Sequence, residues 1–417
     1  MNIKNKEKNK KEMRIIGQGT YGCVYSPNIS CSTPYTLGSS NFLSKIQKVD
    51  ATSENELKIG KMVRDIDGFS ERFAPILSSC PVKLGKMNKE EFTTCKMIVN
   101  EKNKQAITQS NLVSNKLLNV GKDTFGEKMD SLLHTGTKQK YIKKLCETHL
   151  YLLDSVSKLN DADVIHMDIK HNNIMYDDNR GLPIIIDFGL SSDAKKVTTT
   201  NEPFGITAPY YGPWCIEIIL LSHISKYVHT AKDGAKEALV KPIENLDNFK
   251  QFFKKNLQKN ELVHSNLFTQ EERGTYVEKQ MKWIDTFKGK TWKAVWTQLA
   301  STYKSWDAYG LTMMYLNELS IAGMLDTNNI GFLKQYIEVL KKNLTEIPSE
   351  RKTANELRTI LHTIFTKANK KEYKTIMHQI EAVYKNAENK QKMRKAREDS
   401  VLATLVEEKQ MYKQLNK

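Results

Sequence analysis

The apolar positions change period along the chain. Over residues 14–99 they alternate with polar ones, as strands with one buried face require, and turn-rich pieces such as residues 26–40 interrupt them. The polar stretch 100–118 fits neither period. Near Lys138 the spacing lengthens, and Tyr141, Leu145, Leu150, Leu153, Val156 and Leu159 form one stripe of a helix. Two short apolar runs follow, around residues 174–176 and 183–186, on either side of Asp178-Asn179-Arg180-Gly181, a turn sequence that predicts a hairpin. From Glu217 onward helical spacing dominates. Residues 1–12 are rich in Lys and Asn without an apolar core and read as a basic solvated tail, not a secretory signal. Residues 366–417 lack Gly and Pro and mix both charges. They predict a charged helical extension whose Ile376, Ile380 and Val383 could dock on the body. Strands first and helices afterwards predict an α+β fold of two lobes. The small β-rich lobe would span about 13–105 and the larger helical lobe about 106–365, with the ligand cleft between them.

Composition narrows the classes without choosing a function. A chain of 417 residues is long enough for two core-bearing units. The 64 Lys and Arg against 48 Asp and Glu leave a net charge of +16, which favours acidic partners: ATP, nucleic acid or an anionic membrane. No apolar run approaches the roughly 20 residues that cross a bilayer. The six cysteines (Cys23, Cys31, Cys80, Cys95, Cys146, Cys215) have no C-x-x-C spacing. They are expected to be reduced thiols of a cytoplasmic protein, with neither disulfides nor zinc.

Candidate chemistry begins at Gly17-Gln18-Gly19-Thr20-Tyr21-Gly22-Cys23-Val24, a G-x-G-x-x-G-x-V run after Ile15-Ile16. Glycines let a hairpin lie close over phosphates with its N–H groups facing oxygen anions, and Ile16 and Val24 would cover an adenine ring. A dinucleotide-binding turn would need a helix next, whereas Cys23-Val24-Tyr25 continues as strand. Without G-K-[ST] it is no Walker loop either. The second group is His166-Met167-Asp168-Ile169-Lys170-His171-Asn172-Asn173, followed by Asp187-Phe188-Gly189. It offers Asp168 to handle a hydroxyl proton, Lys170 to stabilise a γ-phosphate, and Asn173 with Asp187 to hold metal ions. Each piece alone could be an ordinary turn; together, in this order, they predict phosphoryl transfer.

These motifs resemble the catalytic core of eukaryotic-type Ser/Thr protein kinases over about residues 15–361. The long insertion, the Tyr-Tyr-Gly-Pro-Trp-Cys-Ile-Glu segment and the Lys/Asn-rich composition are similar to divergent kinases of large cytoplasmic DNA viruses. The resemblance implies ATP and Mg2+, a protein substrate, and a kinase domain over 13–365. It also implies a strand lysine paired with a helix glutamate: Lys45 with Lys48 as second choice, and Glu56 with Glu54 as second. Glu217 stands for the acid of A-P-E and would pair with Arg351, while Asp307 would brace the catalytic loop. Lys170 implies Ser/Thr specificity. Met167 replaces the arginine that reads a phosphorylated activation loop, which makes switching through Thr198, Thr199, Thr200 or Thr207 less expected. His171 replaces the usual proline, and Thr312 a usual glycine.

Residues 225–302 form an insertion with Phe249, Phe252, Phe253, Trp283, Trp292 and Trp296 among many lysines. Helical core spacing accounts for these aromatics better than nucleic-acid stacking does. Two other readings stay open: a pseudokinase scaffold that binds partners through the insertion and tail, and a small-molecule kinase of related fold. The Asp187-Phe188-Gly189 and A-P-E-like segments disfavour the second.

Overall fold

The computed structural model describes residues 13–19, 22–29, 41–82, 94–97, 112–135, 138–199, 211–231, 234–258, 260, 267–325, 331–368 and 371. The basic tail, Thr200, Thr207 and the extension carrying Ile376, Ile380 and Val383 lie outside the described residues. The chain divides into two compact units, residues 1–121 with 187–189, and residues 122–186 with 190–417.

The first unit is built on an antiparallel sheet of β1 (Arg14–Gln18), β2 (Gly22–Ser26), β3 (Phe42–Lys48), β4 (Ser78–Pro81) and β5 (Leu112–Leu118), in the order β1-β2-β3-β5-β4. Met13, Cys23, Tyr25, Ile46, Val82, Cys95 and Leu112 make one buried cluster. Helix α1 (Ala51–Arg64) starts at a capping box: Asp50 accepts from the Ser53 N–H, and Ser53 accepts from the Asp50 N–H. Glu56, Ile59, Gly60 and Val63 share its buried face at helical spacing. Strand β5 lies in the stretch whose pattern fitted neither period. Its buried Ser114 and Asn115 break the apolar alternation, and Asn115 spends its interior position on a hydrogen bond to Gln47. The unit accordingly runs to Gly121, past the boundary near 105 read from the sequence.

The expectation of reduced cysteines is overturned. Cys23 on β2 is disulfide-bonded to Cys95, 72 residues away, and Cys80 is disulfide-bonded as well. Folding of the sheet brings these positions together, so nothing in local spacing announces the pair. Cys146 and Cys215 are free and buried.

In the second unit α2 (Phe125–Thr135) and the long α3 (Lys138–Asp161) lead to β6 (Val164–Ile165). β7 (Ile174–Asp177) and β8 (Leu182–Ile186) pair as the expected hairpin, whose turn is closed by Asp177 accepting from the Asn179 and Arg180 N–H groups. β9 (Ser192–Asp193) pairs antiparallel with β6, so both ends of the segment between them are fixed. Then come α4 (Ala194–Thr199), α5 (Ile216–His229), α6 (Ala235–Val240), α7 (Leu246–Leu257), α8 (Gln270–Asp285), α9 (Trp292–Ala300), α10 (Trp306–Ile321), α11 (Phe332–Thr345) and α12 (Ala354–Lys367). Helix α10 is buried almost all round and packs against α3, α11 and α12. That burial explains its lack of an apolar stripe.

The insertion folds as α6 to α9 within this unit. Phe249, Phe253, Trp283, Trp292 and Trp296 are buried, with Phe249 edge-on to Trp292 and Trp283 edge-on to Phe287. These rings are core, as helical spacing implied. Trp296 also donates its indole N–H to the Val197 carbonyl at 2.9 Å, which ties α9 to α4. Thr198 spends its hydroxyl on the Ala194 carbonyl one turn back. Among the described residues no helix is long and apolar enough to cross a membrane.

A buried ion pair anchors the start of α5. Arg351 donates to Glu217 at 2.6 Å with side-chain exposures of 1% and 0%, Thr302 adds a hydroxyl at 3.3 Å, and the guanidinium lies 5.0 Å from the Tyr309 ring centre. Removing one partner strands a charge in the interior. Arg351→Met is therefore expected to lower unfolding free energy by about 3–5 kcal/mol in denaturant titrations, and Glu217→Gln added to it should recover part of the loss. Wild-type stability in the single variant would contradict the pairing. For the first unit, Cys95→Ser should cost about 2–4 kcal/mol, the range for loss of a loop-closing disulfide, seen as a lower thermal midpoint. An unchanged midpoint would mean the bond does not form in solution.

Candidate active site

In the first unit the chemistry centres on one buried ammonium. Lys45 sits mid-sheet on β3, opposite Val24 on β2 and Asn115 on β5. Its Nζ lies 2.9 and 3.1 Å from the two Glu56 carboxylate oxygens and 2.9 Å from Asp187 Oδ1. Glu56 also accepts from Gln47 Nε2 at 2.9 Å, and Gln47 in turn accepts from Asn115 Nδ2. Burial acts to strip the Lys45 proton, yet the Asp187 and Glu56 carboxylates more than offset it and hold the lysine above its ordinary pKa. Lys45 is thus a fixed cation. Glu54, the second choice, is exposed on the opposite side of α1, and Lys48 ends the strand, half-buried.

Asp187 reaches Lys45 from a left-handed backbone conformation, φ +61°, that aspartate tolerates better than most residues. Its Oδ1 also accepts from the Gly189 N–H at 3.4 Å, and Phe188 packs edge-on against Phe73. The side chain of Asp187 is 41% exposed, so the carboxylate is accessible as well as paired.

The glycines of the β1–β2 turn serve different ends. A Cβ on Gly22 would collide with the Ile46 carbonyl oxygen of β3, so this glycine is demanded by strand packing. A Cβ on Gly19 would meet nothing within 4 Å, so protein packing does not demand that one. Gly17 touches only Val24. Ile16, at the bulge between Ile15 and Gly17, is 47% exposed, while Val24 is half-buried. Thr20 and Tyr21 lie outside the described residues.

In the second unit the loop after β6 is over-determined. Asp307, in the first turn of α10, accepts from the His166 N–H at 2.7 Å and the Met167 N–H at 2.8 Å. Burial pushes the Asp307 carboxyl above the ordinary range, and His166 with these N–H donors acts against that. Met167 has φ +63°, a strained conformation for an unbranched side chain, and its carbonyl accepts the Trp214 indole N–H at 2.8 Å. Gly310 lies under the same crossing, where a Cβ would press on the Pro213 and Ile169 carbonyls. His166 is fully buried; its Nε2 meets the Ile186 carbonyl at 3.1 Å and its Nδ1 accepts from the Asp168 N–H at 3.2 Å. It is a structural bridge.

Asp168 stands at the centre. Asn173 Nδ2 donates to its carbonyl at 3.0 Å and to Oδ2 at 2.6 Å, and Lys170 Nζ lies 3.1 Å from Oδ1. Tyr211 donates its hydroxyl to the same Oδ1 and accepts from Lys170 at 2.8 Å. With Nδ2 engaged, the amide oxygen is the Asn173 atom suited to a cation. Among the described residues no three His, Cys, Asp or Glu side chains gather. Asp187 of the first unit offers a carboxylate and Asn173 of the second an amide oxygen, each a donor type that suits a hard cation such as magnesium.

The structure joins Lys45 to Glu56 and Asp187, Asp168 to Lys170 and Asn173, and Glu217 to Arg351, and sets Asp307 under His166 and Met167. Sequence reasoning missed Gln47, Asn115, Tyr211 and Trp214. Tyr211 and Trp214 were in view within a single aromatic segment, but no spacing rule says which carbonyl or carboxylate an aromatic donor will meet.

Residues 86–233, about a third of the chain, match the family model for the protein kinase domain. The matched stretch holds Asp168, Lys170, Asn173, Asp187, Tyr211 and Glu217, and begins after the glycine turn, Lys45 and Glu56. A search of curated proteins returns no match to the chain. The α+β fold, β-rich at its N-terminal part and mostly helical beyond, is consistent with a kinase fold, and over residues 86–233 the chain is similar to the protein kinase domain.

Proposed function

We propose that this protein is a Mg2+-dependent Ser/Thr protein kinase that transfers the γ-phosphate of ATP to protein hydroxyl groups, with a viral origin. The observation that carries this reading is the buried Lys45 cation held by Glu56 and Asp187. A protein that wanted only stability would fill that site with apolar side chains at no loss. A fixed, dehydrated ammonium is useful for gripping the α- and β-phosphates of a nucleotide. Gly17, Gly19 and Gly22 would line the phosphate side of the turn, and the exposed Ile16 with Val24 would cover the adenine.

In the transfer, the substrate hydroxyl oxygen forms a bond to the γ-phosphorus as the bond to the ADP oxygen breaks, and the hydroxyl proton passes to the Asp168 carboxylate. Lys170 neutralises charge on the moving phosphoryl group. Asn173 and Asp187 would hold magnesium, which when bound offsets the charge of the phosphate oxygens. Glu217, Arg351 and Asp307 support this machinery without touching reactants. Ser/Thr specificity rests on Lys170, and the viral assignment on the insertion and composition. A virion or host-cytoplasm location belongs to the same reading, although the Cys23–Cys95 disulfide weighs against a protein matured wholly in a reducing cytosol.

The test is incubation of the purified protein with radiolabelled ATP, Mg2+ and a basic protein substrate. Label should appear on serine or threonine and fall at least about 100-fold in Asp168→Asn, the loss of a positioned general base. Labelling that survives Asp168→Asn would refute the assignment, and ATP binding without any transfer would leave a pseudokinase scaffold in its place.

A further inference from the structure

We propose that Tyr211 is a positioning residue for phosphoryl transfer, its phenol bridging Asp168 and Lys170. The inference rests on the kinase reading above and assigns a role that its motifs leave open. Asp168 and Lys170 are two residues apart on an irregular loop, and the lysine's long side chain has many rotamers to lose before it points anywhere. The Tyr211 hydroxyl meets both at once, donating to Asp168 Oδ1 and accepting from Lys170 Nζ at 2.8 Å. The ammonium also lies 5.4 Å from the Tyr211 ring centre. Two holds, the carboxylate and the phenol oxygen, restrict the lysine far more than either would alone.

The bridge is itself held rigidly. Tyr211 is 1% exposed and stands edge-on to Trp214, ring centres 5.6 Å apart. Trp214 is fully buried and donates to the carbonyl of Met167, the residue immediately before Asp168. The segment at 211–214 therefore returns to the loop it positions, and closes a circuit from Met167 through Trp214 and Tyr211 to Asp168.

Tyr211→Phe removes one oxygen and keeps the ring on Trp214. The expected result is a kcat lower by about tenfold to a hundredfold, the range for a lost hydrogen bond to charged groups. The Mg-ATP dissociation constant and the thermal midpoint should match wild type. A purely structural tyrosine would move the midpoint and binding together with kcat, which would overturn the proposal, as would an unchanged kcat. A raised kcat would show a plug instead. Wild-type activity that Asp168→Asn abolishes is measured alongside: if it is present, failure of the Tyr211 prediction refutes the bridge alone; if it is absent, the kinase reading and the bridge both fall.

Discussion

The ammonium of Lys45 is the constraint around which the first unit is organised. Taking an ion out of water costs several kcal/mol even after relaxation, and a buried pair recovers this only with good geometry and satisfied hydrogen bonds. Here the cost is met by two carboxylates within 3.1 Å and by an amide relay from Asn115 through Gln47 to Glu56. Three strands and one helix are committed to it: β3 carries Lys45 and Gln47, β5 carries Asn115, β2 packs Gly22 onto β3, and α1 carries Glu56. So much polar structure in a sheet interior makes little sense as a stabilising device. On the proposed function it is a preorganised site for a polyanion.

The second unit solves a different problem, that of holding an irregular loop without a regular ladder. Its answer is to use one carboxylate, Asp307, as a cap for the successive His166 and Met167 N–H groups, and one indole, Trp214, as a donor to the Met167 carbonyl that follows them. Both supports stand on buried structure: α10 is the core helix of the unit, and α5 is pinned by Glu217 and Arg351. Met167 is 4% exposed and contributes its carbonyl to the Trp214 indole.

What could be read in the sequence follows the range of each interaction. The hairpin at Asp178-Asn179-Arg180-Gly181, the helical stripe from Tyr141 to Leu159 and the loop from His166 to Asn173 are local, and their spacing carries them. Lys45 could be preferred to Lys48 only by order after the glycine turn; the burial that separates them is a property of the sheet. β5 escaped because the buried Ser114 and Asn115 stand where a strand pattern expects apolar side chains, Asn115 serving the Glu56 network through Gln47. The Cys23–Cys95 bond escaped because its partners are 72 residues apart and meet only when the sheet forms. Tyr211 was legible as a residue type, and its role depends on Trp214 aiming it.

On the proposed function, the buried charge network of the first unit binds a triphosphate. The most direct measurement is the Mg-ATP dissociation constant of wild type and Glu56→Gln by titration calorimetry, with folding of both checked by thermal denaturation. The variant, folded but with Lys45 left with Asp187 as its one charged partner among the described residues, is expected to bind about tenfold or more weakly, since a charge-assisted hold is worth that much. Equal affinity in the two proteins would contradict it, and would mean that Lys45 and Glu56 are paired for reasons unrelated to nucleotide.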